Sequence, residues 1–162
     1  GEETFLKEDL LSLQTRIMLS KKCQYALHAL LYMVEHEDSE RLTIQEIADK
    51  KNIPKKFLET ILMDLKTAGV LGSKKGKLGG YYLMRKPADV SVLEIIRLMD
   101  GAVAMLPCVS LNFHESCGRC EDETTCSINK LFSAVRDETL KILSTNSLAD
   151  LRNLSLLPSG VV

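Results

Sequence analysis

The chain has 162 residues, is 45% hydrophobic and carries a formal net charge of −1. That length suits one domain with a helix or two beyond it, and no apolar run approaches the eighteen or so residues of a membrane-spanning helix. No secretory pattern opens the chain, so its five cysteines read as thiols of a reducing cytosol rather than a disulfide scaffold.

Residues 1–17 read as an N-terminal extension or leader before a natural start at Met18. Phe5, Leu6, Leu10, Leu11 and Leu13 are spaced for a short amphipathic helix there. Ser20 is placed to cap the next helix, predicted from Lys21 to about His36. Cys23, Ala26, Leu27, Leu30, Met33 and Val34 share one face of it, so Cys23 reads as a small buried hydrophobe. His28 lies off that stripe and reads as a surface or interface residue rather than a catalytic one. A polar loop, 36–40, follows.

Thr43 and Glu46 form a capping box, and Ile44, Ile47 and Ala48 share a face of the short helix behind it. Lys51-Asn52-Ile53-Pro54 breaks the pattern, with Pro54 suited to the first position of a new helix. Phe57, Leu58, Ile61, Leu62 and Leu65 then repeat at helical spacing until Gly69. Two strands are predicted next, Val70–Ser73 and Tyr81–Met84, joined by a Lys- and Gly-rich tip from Lys74 to Gly80. Helix, turn, helix and hairpin make a winged helix-turn-helix.

From Lys50 to Lys86 ten basic residues stand against Glu59 and Asp64, a local charge of +8 in a chain that is −1 overall. Positive charge gathered on one segment of a near-neutral chain is an electrostatic footprint for a polyanion. A helix from Pro54 to Ala68, roughly 22 Å long, fits a DNA major groove. Its apolar face must pack inward, which leaves Lys55, Lys56, Glu59 and Thr60 in the first turn to meet DNA. Lysines reach phosphate or guanine, and a glutamate accepts from the cytosine amino group. At the wing, Lys74, Lys75 and Lys77 supply charge. Gly76, Gly79 and Gly80 are expected to adopt positive φ and bring backbone amides near phosphate. The competing reading is a solvated hairpin tip.

Pro87 ends the second strand. Ser91 and Glu94 form a further capping box, before a short helix whose Val92, Leu93, Ile95, Ile96 and Leu98 should be well buried. The stretch Cys108–Cys126 then places four of the five cysteines within nineteen residues, with Cys117 and Cys120 in a C-x-x-C step. Clustered thiols in a loop hold zinc, hold an iron–sulfur cluster, or act as redox thiols. Structural zinc usually takes two such knuckles and this loop has one, so a cluster is favoured over zinc. His114 and the carboxylates Glu121, Asp122 and Glu123 are further donors, although thiolates dominate for either metal.

A long helix is predicted from Ser127 to about Leu143. Ile128, Leu131, Phe132, Val135, Thr139, Ile142 and Leu143 form its stripe, with Leu140 beside it. A helix of roughly 25 Å is too long for so small a domain to cover alone, which points to a partner subunit, the alternative being a helix that packs back on its own winged domain. Residues 147–151 add a turn, and Leu154–Val162 reads as a tail. The expected organisation is therefore an extension (1–17), a winged helix-turn-helix (18–101), a cysteine-rich sensor loop (102–126), a dimerisation helix (127–152) and a tail (153–162). The fold class is mainly α with a small β-hairpin wing. No nucleophile–base pair, phosphate loop or histidine constellation suggests an enzyme.

These residues resemble the bacterial winged-helix regulator family of IscR, NsrR and CymR, the Rrf-type regulators. The resemblance rests on Leu19-Ser20-Lys21, Tyr25-Ala26-Leu27, Ile47-Ala48, Ile53-Pro54, Phe57-Leu58-Glu59, Leu65 and Gly69-Val70. Gly79-Gly80-Tyr81-Tyr82-Leu83 and the cysteine loop complete it, over Met18 to about Leu151. It implies a cytoplasmic homodimeric transcription factor, usually a repressor, that binds a palindromic operator in double-stranded DNA. It maps DNA contacts onto Lys55, Lys56, Glu59, Thr60 and the wing from Lys74 through Gly79 and Gly80 to Tyr81. It also implies cluster ligation by Cys108, Cys126 and one of Cys117 or Cys120. Two positions depart from the family pattern. Asn129 stands where IscR-like members have a ligand histidine, and Gln24 where NsrR-like members have a ligand carboxylate. An all-thiolate site using Cys108, Cys117, Cys120 and Cys126 is the expectation that follows, with a metal-free thiol or small-molecule sensor, or a protein-interaction module, as its rivals.

Overall fold

The computed structural model describes residues 18–77 and 79–155. The amphipathic pattern of residues 1–17, Leu78 at the wing tip and the tail from 156 lie outside them. Among the described residues there are six α-helices and one two-stranded antiparallel sheet. The elements are α1 (Lys21–Glu35), α2 (Ile44–Lys51), α3 (Lys55–Thr67), β1 (Leu71–Lys74), β2 (Gly80–Leu83), α4 (Val92–Asp100), α5 (Ser127–Thr145) and α6 (Leu148–Ser155). Single 3-10 turns at Pro87–Asp89 and Pro107–Val109 flank α4.

The caps form where the sequence places them. The side chains of Ser20, Thr43 and Ser91 accept from the backbone N–H of Cys23, Glu46 and Glu94, three residues on in each case. Asn52 turns the chain out of α2 in the left-handed region at φ 52°, which asparagine tolerates better than most residues. Pro54 sits one position earlier than expected, at the N-cap of α3. Its carbonyl accepts from Phe57 N at 2.9 Å and Leu58 N at 3.0 Å. The hairpin is shifted by one residue on each strand relative to the prediction, pairing Leu71 with Leu83 and Lys74 with Gly80.

α1 is the central helix and packs against α2, α3, α4, α6 and β2. The core gathers Leu30 and Val34 of α1, Ile47 of α2, Leu58, Ile61, Leu62 and Leu65 of α3, Val70 and Leu71, Val90, and Ile95 of α4. Cys23 is fully buried beside Val92 and Ile96, as its place on the stripe requires. Burial and the neighbouring Asp100 carboxylate push its thiol pKa up to about 12. Two expected core positions are exposed instead. Phe57 is 47% exposed, because its ring stands edge-on against Tyr25 with centroids 5.9 Å apart, at the rim of the core. Leu98 also faces outward, since the last turn of α4 passes beyond the core.

The chain after α5 returns to the winged domain. Val92 N donates to Asn146 O and Leu148 N to Val90 O, both at 2.9 Å, and the fully buried Leu148 fixes α6 against the core. The predicted extra turn is thus a two-turn helix of the core.

α5 itself is different, for none of its nineteen residues is buried. Its predicted stripe divides. Val135, Thr139 and Leu143 are half-buried and line a cleft of about 840 Å³ between α5, the start of α1, the end of α4 and the 102–107 linker. Ile128, Leu131 and Ile142 are 61%, 62% and 59% exposed.

Candidate nucleic-acid interface and cysteine loop

α3 buries Leu58, Ile61, Leu62 and Leu65, which fixes which of its sides faces outward. Lys55, Lys56, Glu59 and Thr60 are all exposed. The helix N-terminus leaves backbone N–H groups unpaired within the helix and carries the positive end of its dipole. Neither Lys55 nor Lys56 meets a carboxylate among the described residues, whereas Lys22 pairs with Asp64 at 2.6 Å and Lys51 with Glu35 at 3.7 Å.

The wing separates in the same way. Lys74 lies 4.0 Å from Glu40, while Lys75 and Lys77 are exposed and make no such pair. The glycines do not behave alike. Gly76 has the expected positive φ, 109°, but Gly79 and Gly80 do not. They are glycines for lack of room. A Cβ on Gly79 would meet Lys74 O at 2.6 Å, and one on Gly80 would meet Leu42 O at 2.7 Å. The Gly79 amide donates to Gly76 O at 2.9 Å, so it serves the wing turn rather than an external acceptor. Tyr81 exchanges backbone hydrogen bonds with Leu42 at 2.8 and 2.9 Å, and its half-buried ring packs on the core. This bridge ties the wing to the segment entering α2. Its sequence signal is the Gly79-Gly80-Tyr81 run, which spacing alone reads as turn and DNA contact rather than as this bridge. Gly72, opposite Tyr82, likewise leaves space for that ring.

The loop between α4 and α5 is anchored to α5 by two polar side chains of that helix. Asn129 donates to Cys108 O at 3.3 Å, and Arg136 donates to Val109 O at 2.6 Å. Asn129 therefore holds the backbone of a candidate ligand in place. His114 meets Glu123 at 2.8 Å and ties the two arms of the loop together, and this contact holds the Glu123 carboxyl below its usual range. The other oxygen of Glu123 is shielded from solvent without a hydrogen-bond partner.

Cys117 and Cys120 bring their sulfurs to 3.9 Å across a turn in which Gly118 has φ 61°. Hydrogen bonding from the Arg119 backbone and the Cys120 thiol lowers the Cys117 pKa. The same contact, with desolvation and the proximity of Cys117 and Cys126, raises Cys120 to about 11. Soft thiolates are the donors that iron and zinc prefer. Yet no three His, Cys, Asp or Glu side chains among the described residues are arranged to hold a metal ion. The donor chemistry suits a metal centre, the arrangement is open, and ligation requires the loop to close.

The sequence pattern of the Rrf2 family, described as an iron-dependent transcriptional regulator, matches residues 19–153. An rrf2-like HTH-type transcriptional regulator of Rhodobacter capsulatus is 42% identical over 137 residues, covering 83% of this chain and 91% of that protein. The structure of the global cysteine regulator CymR of Bacillus subtilis is similar, with a TM-score of 0.71 at 23% identity over 85% of this chain and 98% of that one. IscR of T. potens has a TM-score of 0.67 at 22% identity, over 89% and 94% of the two chains. These two likenesses show the winged-helix fold, while the family pattern and the Rhodobacter relative carry the assignment. No helix of the described residues is long and apolar enough to cross a membrane. The chain belongs to the Rrf2 family of helix-turn-helix transcriptional regulators, which are DNA-binding proteins rather than enzymes.

Proposed function

We propose that the chain is a homodimeric, cytoplasmic repressor that reads a palindromic operator with the first turn of α3 and the wing. In this reading the 102–126 loop reports iron–sulfur cluster or redox state to the reading heads. The observation that carries the DNA contact is a set of exposed lysines without acidic partners among the described residues, Lys55 and Lys56 on a helix whose opposite side is wholly buried and Lys75 and Lys77 on the wing. Glu59 and Thr60 stand beside them to meet bases, and Lys74 joins them once it leaves Glu40. Gly79, Gly80 and Tyr81 build the wing's base and hold its charges in position.

The dimer reading rests on α5, whose exposed Ile128, Leu131 and Ile142 leave an apolar face for a second copy. Two reading heads on a two-fold axis suit half-sites about 34 Å apart. The sensor reading rests on the anchoring of the loop. It joins α4, which packs on α1 of the reading head, to α5, and Asn129 and Arg136 grip it from the α5 side. A change in the loop can then bias one domain against the other, by no more than the signal's difference in affinity for the two arrangements. A cluster would be held by Cys108 and Cys126 with Cys117, Cys120 or both, and would supply an oxidation-sensitive link between the loop and α5. A metal-free thiol sensor is the second reading, favoured by the Cys117–Cys120 contact and the open donor arrangement.

Protein purified without oxygen separates the two readings. Stoichiometric iron and sulfide with broad visible absorption, lost in Cys→Ser variants at the four loop positions, supports a cluster. Unaltered spectra in every variant would contradict ligation by these cysteines. Absence of iron with oxidant-dependent operator binding supports the thiol sensor.

A further inference from the structure

We propose that Cys117 and Cys120 form a redox-active dithiol that a hydroperoxide converts to a disulfide within the loop, independently of Cys108 and Cys126. The inference rests on reading the 102–126 loop as the sensor and names the two atoms that meet the oxidant.

The two sulfurs are 3.9 Å apart, against about 2.05 Å in a disulfide. Both cysteines are on one tight turn, so closing that gap leaves the rest of the loop in place. The turn depends on Gly118, whose φ of 61° a side chain would resist. Gly118 N also donates to Ser116 Oγ at 3.3 Å, and the His114–Glu123 contact brackets the turn from outside. Cys117 is exposed whereas Cys120 is half-buried, so a dissolved oxidant meets the first sulfur and the second is held within reach of it. Cys126 also lies near Cys120, but both it and Cys108 are half-buried and tied to structured turns. Cys108 is half-buried in the 3-10 turn whose carbonyl Asn129 holds, and Cys126 is the N-cap residue of α5.

The chemistry balances with one oxidant. The Cys117 sulfur attacks the peroxide O–O bond, giving a sulfenic acid and releasing water or an alcohol. The Cys120 sulfur then displaces the hydroxyl, which leaves as water, and the S–S bond forms. Two electrons pass from the dithiol to the peroxide. The product withdraws both sulfurs from metal coordination, so oxidation and metal occupancy compete for the same turn.

The test needs neither DNA nor metal, so its failure is distinct from failure of the cluster reading. The full chain, reduced and treated with chelator under anaerobic conditions, is exposed to hydrogen peroxide, alkylated and cut after glutamate. Cleavage after Glu115 and Glu121 yields a hexapeptide, Ser116–Glu121, that holds both cysteines and no other. The expected product is that peptide unalkylated and two hydrogens lighter than the dithiol. It should form equally in a Cys108→Ser/Cys126→Ser double variant. In Cys120→Ser the reaction should stop at a dimedone-trappable sulfenic acid on Cys117. Recovery of the hexapeptide with both thiols alkylated, or of Cys117 or Cys120 linked to a peptide carrying Cys108 or Cys126, would overturn the proposal.

Discussion

Replacing Lys55 and Lys56 with alanine tests the reading head directly. Both side chains are exposed and neither pairs with a carboxylate, so their removal exposes no charge and opens no cavity. Alanine is also at least as good a helix former, which leaves α3 intact. A dimer presents two such pairs, four cations in all. Each phosphate contact steepens the dependence of log K on log salt by about 0.9, so losing four flattens the slope by about 3.6. Between about 50 and 200 mM salt, that difference amounts to roughly 150-fold in relative affinity. Fluorescence anisotropy with a labelled duplex across a salt series measures it. Because the term is independent of sequence, an arbitrary duplex suffices before the operator is known. Circular dichroism and light scattering should show the fold and the dimer unchanged. An unaltered slope and affinity in the well-folded variant would refute the placement of DNA against the first turn of α3.

The other predictions concern the dimer face, the wing and the buried thiol. Leu131→Glu with Ile142→Glu should yield monomers by light scattering at micromolar concentration, since each apolar side chain contributes about 1.5–3 kcal/mol when buried and a two-fold interface counts it twice. A stable dimer in that variant would place the interface elsewhere. Gly80→Ala should lower stability by about 1–3 kcal/mol in thermal or denaturant unfolding, because the new methyl group collides with Leu42 O. Unchanged stability would show that the bridge between Leu42 and Tyr81 is not held as tightly as described. Cys23 should resist alkylation in the native protein near about pH 8 and react only on unfolding, since its thiol is buried and remains protonated. Rapid native labelling of Cys23 would contradict its placement.

The winged domain was legible because its signals are local. Ser20, Thr43 and Ser91 each cap the helix that follows, and the apolar spacing from Leu58 to Leu65 chose the buried side of α3. What the sequence concealed are contacts between distant segments. Gly79 and Gly80 look like turn glycines, and only the approach of Lys74 and Leu42 shows that space, not φ, excludes a side chain. Asn129 reads as a missing ligand until its amide is seen on the Cys108 carbonyl. Leu148 belongs to the core because the chain returns past Val90, which no helical periodicity encodes. The cysteine loop was visible as chemistry, since four thiols in so short a stretch demand a reason. Its spatial arrangement depends on single turns and on His114 meeting Glu123, neither of which spacing alone determines.

The central claim is that the state of the 102–126 loop sets operator affinity. The most direct measurement is the dissociation constant for one palindromic duplex, taken anaerobically with the same protein before and after loop oxidation or cluster loss. A shift of roughly 5- to 150-fold, the usual range of coupling between two sites, is expected, reversed by reduction or reconstitution. Cys→Ser changes at Cys108, Cys117, Cys120 and Cys126 should abolish the shift while leaving DNA binding itself in place. Equal affinity in both states, with the loop's chemical change verified by mass, would contradict the claim.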